Sequence, residues 1–155
     1  MATVRFNHME LTFEPGTLTA DKRDEIAEFY GDLFGWRFQD TEVVGQKCFL
    51  MQPDDGQFIL CAESPKYMQS PGYDHLGLLM DTRAEVDEAL AKAKAWQERD
   101  DRVRLKEYQD LVYPQLTVHA FYVRHLLPIW FDVQCMERPA GAPGPAQAWL
   151  SLIHI

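Results

Sequence analysis

No stretch of the chain approaches the run of about 18 apolar residues that a membrane-crossing helix needs, which excludes a helical span and a membrane partner. The N-terminal residues lack the charged, apolar and small-residue order of a secretory signal, so the expected location is the cytoplasm. Basic residues are scarce, with 15 Lys and Arg against 24 Asp and Glu for a formal net charge of -9. That balance excludes nucleic acid as a partner, because phosphate binding needs clustered cations. Cysteine is scarcer still. Cys48, Cys61 and Cys135 are odd in number and lie in apolar, strand-like runs, which points to buried reduced thiols rather than a disulfide framework. A glycine-rich phosphate loop, a Gly-x-Ser-x-Gly elbow and a Cys-x-x-Cys pair are all missing, and with them nucleotide, serine-hydrolase and dithiol chemistry.

What is present is repetition. At 155 residues, 46% of them hydrophobic and 25% charged, the chain has the balance of an ordinary globular protein and is long enough to bury one core. His8-Met9-Glu10-Leu11 near the start and His75-Leu76-Gly77-Leu78 near the middle share one pattern: His, apolar, any residue, Leu. Each opens a strand-like run followed by a loop, an amphipathic helix and further strands. Self-similarity at half the chain length predicts two copies of one unit, each with a histidine on its first strand.

In the first copy, Val4 to Phe13 alternates as a strand, with His8 on the face shared by Phe6 and Glu10. Thr19 or Asp21 caps a helix running to about Phe34, whose Ile26, Phe29, Tyr30 and Leu33 form an apolar stripe, and Gly35 stops it. Strands are expected over Trp36–Val44, Lys47–Gln52 and Gln57–Glu63, with a turn at Pro53-Asp54-Asp55-Gly56. The stretch 64–73, with two prolines and a glycine, joins the copies. In the second, His75 to Met80 is a strand, and Thr82 with Glu85 forms a capping box. The helix that follows, to about Arg99, buries Val86, Ala89, Leu90, Ala93 and Trp96. One strand is expected over Val103–Val112, and Thr117–Arg124 with Ile129–Met136 as a closing hairpin. From 138 to 155 a proline- and glycine-rich tail is expected to lack structure. Its final Leu150–Ile155 reads as a scar from library preparation, so His154 is set aside.

The repeated strand–helix–three-strand unit, the Phe29-Tyr30-x-x-Leu33-Phe34-Gly35-Trp36 helix end and the two hairpins together resemble the vicinal oxygen chelate superfamily. That group holds glyoxalases, fosfomycin-resistance enzymes, bleomycin-resistance proteins and extradiol dioxygenases. The resemblance implies an α+β fold of two paired βαβββ modules, 4–63 and 74–137, curling into an open sheet around a small-molecule site. In this family one metal ligand comes from the first strand of each half, here His8 and His75, and another from the last strand, here Asp132. Glu137 is the other carboxylate near that strand end. Leu60 stands where some members carry a fourth ligand. Two imidazoles and a carboxylate suit a divalent ion, whether Fe, Mn, Zn or Ni, with positions left open for substrate.

Tyr122, ten residues before Asp132, matches the spacing of the active-site tyrosine in extradiol dioxygenases and is the catalytic candidate; the histidine expected before it is Tyr113. His119 and His125 suit surface or hairpin positions, Trp96 the helix core, and Trp130 either pocket wall or core. The function implied is a metal-dependent lyase or dioxygenase acting on a small substrate with neighbouring oxygens. The alternative is a metal-free binder of the bleomycin-resistance type. A homodimer is expected, because half-cups leave sheet edges that a second chain covers. The modules pair either within one chain or by exchange between subunits.

Overall fold

In the computed structural model, which describes residues 2–141, strand β1 spans His8–Phe13 and not Val4–Phe13. Val4 and Phe6 are almost fully exposed. The ladder begins only where His8 lies opposite Phe58, so the earlier alternation has no neighbour to bond. Helix α1, Ala20–Phe34, is capped by the Thr19 hydroxyl, which accepts from the Lys22 amide, and buries Ile26, Phe29, Tyr30 and Leu33. Gly35 ends it in the left-handed region at φ 67. Strands β2 (Arg37–Val43), β3 (Gln46–Asp54) and β4 (Gln57–Glu63) follow. The expected Pro53 turn lies partly inside β3, where the register shifts between Met51 and Asp54; proline cannot donate to a ladder and is accommodated at such an irregularity.

The second half runs β5 (His75–Leu79), α2 (Arg83–Gln97), β6 (Arg104–Glu107), β7 (Leu111–Tyr113), β8 (Leu116–Arg124) and β9 (Trp130–Glu137). Thr82 and Glu85 form the full capping box, and α2 buries Val86, Ala89 and Ala93, with Leu90 and Trp96 partly covered. The single strand expected over Val103–Val112 is two strands. Glu107 pairs with Phe121 and Leu111 with Val118, so Tyr108, Gln109 and Asp110 stand opposite only His119 and Ala120. One extra residue makes a bulge, which breaks the ladder and turns side chains to new directions. The tail expected from 138 onward lies, from residue 142, outside the described residues.

The strands form two sheets of order β1-β4-β3-β2 and β5-β9-β8-β6, with β7 also on β8. In each the first strand runs parallel to the last of its unit. His8 pairs with Phe58 and Glu10 with Leu60; His75 pairs with Trp130 and Gly77 with Asp132. The two registers correspond residue for residue, so His8 matches His75 and Leu60 matches Asp132. This is the α+β architecture of two paired βαβββ units, with one strand of the second unit interrupted.

One apolar core joins the halves. It holds Leu11, Phe29, Tyr30, Phe49 and Ile59 together with Val86, Ala89, Phe121, Phe131 and Val133. Both helices and the helix-facing side of each sheet enter it. Cys48, Cys61 and Cys135 are free and buried, and burial pushes the Cys61 thiol up to about 12, where it is inert. The other face of each sheet is left without a helix, and that open face carries His8 on the first sheet and Asp132 on the second.

Candidate functional site

Alternation along β9 puts Phe131, Val133 and Cys135 in the core and turns Trp130, Asp132 and Gln134 to the open face. Across the sheet, Asp132 is flanked by Gly77 on β5 and Tyr122 on β8, and Lys106 of β6 lies beyond Tyr122. The neighbouring row begins with His75 and Trp130 and continues with the cross-strand pair Arg124 and Arg104. Asp132 is 8% exposed. Burial raises its carboxyl above the ordinary carboxylate range, while the His75 imidazole and a Tyr108 hydrogen bond pull the other way.

His75 and Asp132 come together, with Nε2 3.9 Å from Oδ2. The His75 Nδ1 lies 2.7 Å from the Tyr73 carbonyl. A carbonyl only accepts, so Nδ1 carries a proton and Nε2 is the ring nitrogen turned to the carboxylate. His8 repeats the device. Its Nδ1 is 2.8 Å from Asn7 Oδ1, and the Asn7 amide is oriented by donating to the Gly56 carbonyl, so Nε2 is again the free nitrogen. The His8 ring stacks on Phe58 with centroids 4.8 Å apart. Yet His8 belongs to the other sheet. Among the described residues, no three His, Cys, Asp or Glu side chains are placed to hold one metal ion, so a single chain does not bring His8 to His75 and Asp132. Within the chain His8 lines a groove with Phe58, Trp36 and residues Leu76 to Met80 of the β5 edge.

Tyr122 stands beside both members of the pair, its ring 5.0 Å from that of His75. Burial, and then the Asp132 charge, raises its phenol, which is therefore protonated at neutral pH. Glu137 is occupied elsewhere. It pairs at 2.7 Å with Arg83 on the helix side of the sheet, a tighter role than the solvated strand end its position suggests. His119 is also on that side, in the same ionic cluster. His125, expected at a surface or hairpin position, is at the β8–β9 connection but only 2% exposed, its ring 4.5 Å from Phe29. Trp96 packs against Phe29 and donates to Asp32.

Four residues of the open face escape a reading of the chain alone: Tyr73, Arg104, Lys106 and Tyr108. Tyr108, the residue after β6, lies on this face too: its hydroxyl donates to Asp132 at 3.3 Å and its ring meets Tyr122 edge-on. Burial and the Asp132 charge raise the Tyr108 phenol well above its ordinary value. The local signal for the two cations is the alternation Arg104-x-Lys106-x-Tyr108, which puts both on the face of the aromatic rings.

A family model, that of the Glyoxalase/Bleomycin resistance protein/Dioxygenase superfamily, matches residues 5–108. No curated protein matches the chain. Among solved structures, the genomically encoded fosfomycin resistance protein FosX of Listeria monocytogenes is similar at 16% identity and TM-score 0.63, over 97% of this chain and 99% of that one. A glutamate-to-glutamine mutant of FosX, at 16% identity and TM-score 0.59 over 96% of this chain and 99% of that one, was crystallised with Mn(II) and 1S,2S-dihydroxypropylphosphonic acid. A glyoxalase family protein of Bacillus anthracis is similar at 12% identity and TM-score 0.59, over 88% of this chain and 98% of that one. At such identities the likeness is one of fold.

Proposed function

Because the chain belongs to the Glyoxalase/Bleomycin resistance protein/Dioxygenase superfamily, we propose that it is a metal-dependent enzyme, a lyase or dioxygenase acting on a small substrate with neighbouring oxygens. The observation that carries this reading is the preparation of the two histidines. Each first-strand imidazole has its Nδ1 engaged by an oxygen and its Nε2 turned away from that oxygen, open to an ion, and one of them faces a buried carboxylate. Metal-ligating histidines ordinarily have one ring nitrogen held by an oxygen in this way. His75 and Asp132 of one chain and His8 of a second copy would hold the ion, for which FosX supplies Mn(II) as a precedent in the fold. The bound ion would act as a Lewis acid toward the substrate oxygens and stabilise charge that develops on them. Tyr122, held as a neutral phenol beside the pair, would donate a hydrogen bond or a proton to the substrate.

The assembly is a homodimer in this reading. The open face of the first sheet bears half-covered Leu50, Leu60 and Phe58, and β1 and β5 are both sheet edges. A second copy laid across them joins His8 of one chain to His75 and Asp132 of the other.

Calorimetric titration with Mn(II) tests ligands and assembly together. His8→Ala and His75→Ala should each abolish binding, and Glu137→Gln should leave it intact. Co-expressing the two histidine variants should restore about one site in four, since half the dimers are then mixed and each carries one intact site. No recovery would mean that both histidines come from the same chain. Unchanged affinity in His75→Ala, or loss in Glu137→Gln, would show the ligands to be wrong. No binding by the unmutated protein would leave the metal-free binder.

A further inference from the structure

The open face of the second sheet has a character opposite to that of the whole chain. The protein carries a net charge of -9, yet Arg104, Lys106 and Arg124 all lie on this face, and Asp132 is the sole carboxylate among its strand residues. Arg104 and Arg124 are direct cross-strand neighbours, an arrangement that costs stability when the charges are alike. Burial, and then the neighbouring Arg104, hold the Arg124 guanidinium below its ordinary range. Among the described residues none of the three cations is paired with a carboxylate. Two of them rest on aromatic rings instead: the Lys106 ammonium is 4.1 Å from the centre of Tyr73, and the Arg104 guanidinium 5.3 Å from that of Trp130.

Those rings belong to one cluster with Tyr122. Tyr73 and Trp130 have centroids 5.1 Å apart, Tyr73 and Tyr122 6.1 Å, and Tyr122 and Trp130 6.5 Å. Tyr73 is half exposed, and Trp130 is buried. An aromatic cluster of this kind ordinarily attracts cations. Here Tyr73 and Trp130 already carry the protein's own cations, so a positively charged ligand is repelled and an anion is drawn in, while the Tyr122 ring is left without one. Gly77, opposite Asp132, leaves space on the same face, since even an added Cβ there would meet only Gln134 at 3.5 Å.

We propose that this face binds an aromatic carboxylate, its ring lying against Tyr122 and its carboxylate taken by Arg104 and Lys106. The inference deepens the metal-site reading, on which it rests for the position of the reacting oxygens, by naming the substrate class.

Benzoate, which lacks a chelating pair of oxygens, is the probe. It is titrated calorimetrically into the full-length protein with excess chelator present, so binding stands or falls without metal. Benzoate should bind, while cyclohexanecarboxylate (the charge without the π-face) and benzyl alcohol (the ring without the charge) should each be about tenfold weaker or more. Arg104→Gln combined with Lys106→Gln, both at exposed positions, should weaken benzoate by a similar factor and leave benzyl alcohol unchanged. Failure of benzoate to bind, equal binding of the three compounds, or equal loss of both aromatic ligands in the double variant would overturn the proposal. The Mn(II) titration fails or succeeds independently of these results.

Discussion

His119 sits where three acids and an arginine converge. Its Nε2 is 2.7 Å from Asp87 and its Nδ1 2.8 Å from Asp110, while Arg83 reaches Asp110 and Glu137. Burial alone would lower the imidazole, but the hydrogen bonds to Asp110 and Asp87 outweigh it and raise the folded value. A raised folded value means that the imidazolium contributes its full stability below the ordinary histidine range, near pH 6.5, and loses it as pH rises through the folded value. Asp110 works the other way: held at about 2 by the Arg83 and His119 hydrogen bonds, it contributes above the ordinary carboxylate range and loses this as acid approaches its folded value. His119→Gln should therefore lower the thermal midpoint clearly at pH 5.5 and far less at pH 9. An equal deficit at both would mean that the ring matters for packing and not for charge. The same residue shows why part of this chemistry is hidden in the chain. His119 is separated from Arg83 and Asp87 by a helix and two strands, and no local pattern announces that they meet.

At the scale of elements, most strands and both helices are legible because each obeys a short-range rule. Thr19 and Thr82 cap, Gly35 stops, and the helical stripe and strand alternation continue between them. The failures have long-range causes. Val4 to Phe6 alternates but lacks a ladder partner, and the run Val103–Val112 is broken by a bulge that only its pairing with β8 reveals. That break lies beside the site, since Tyr108, which donates to Asp132, is the first residue beyond β6. The β2–β3 connection makes a different point. Val44 and Gly45 both have positive φ, 52 and 77, the geometry of a two-residue hairpin turn that favours Asn-Gly. A β-branched residue is disfavoured there, and Val44 is fully exposed, so its side chain offsets nothing by packing. Val44→Asn should stabilise the protein by about 1 kcal/mol, seen as a higher urea midpoint at unchanged slope. A lower midpoint would show that the valine makes a contact in the assembled protein.

For the whole molecule, the repeat of His8 and His75 is enough to suggest two equivalent units, and the matching registers of β1–β4 and β5–β9 bear that out. What the repeat cannot convey is that the two units share a single core, since apolar stripes on two helices do not say whether they face separate sheets or each other. The Tyr30 hydroxyl is the clearest sign of that union. It donates to the His125 carbonyl at 2.8 Å and accepts from the His125 amide at 3.1 Å, joining residues 95 apart in the chain. The consequence is one of timescale. An amide in a connection between strands ordinarily exchanges its hydrogen with solvent through small local openings. The His125 amide can do so only when α1 of the first unit leaves the hairpin of the second, an opening that dismantles the core. It should exchange as slowly as the amides of β8 and β9 beside it, and Tyr30→Phe should release it to the fast class, so that one phenol sets whether two halves of a protein breathe separately or together.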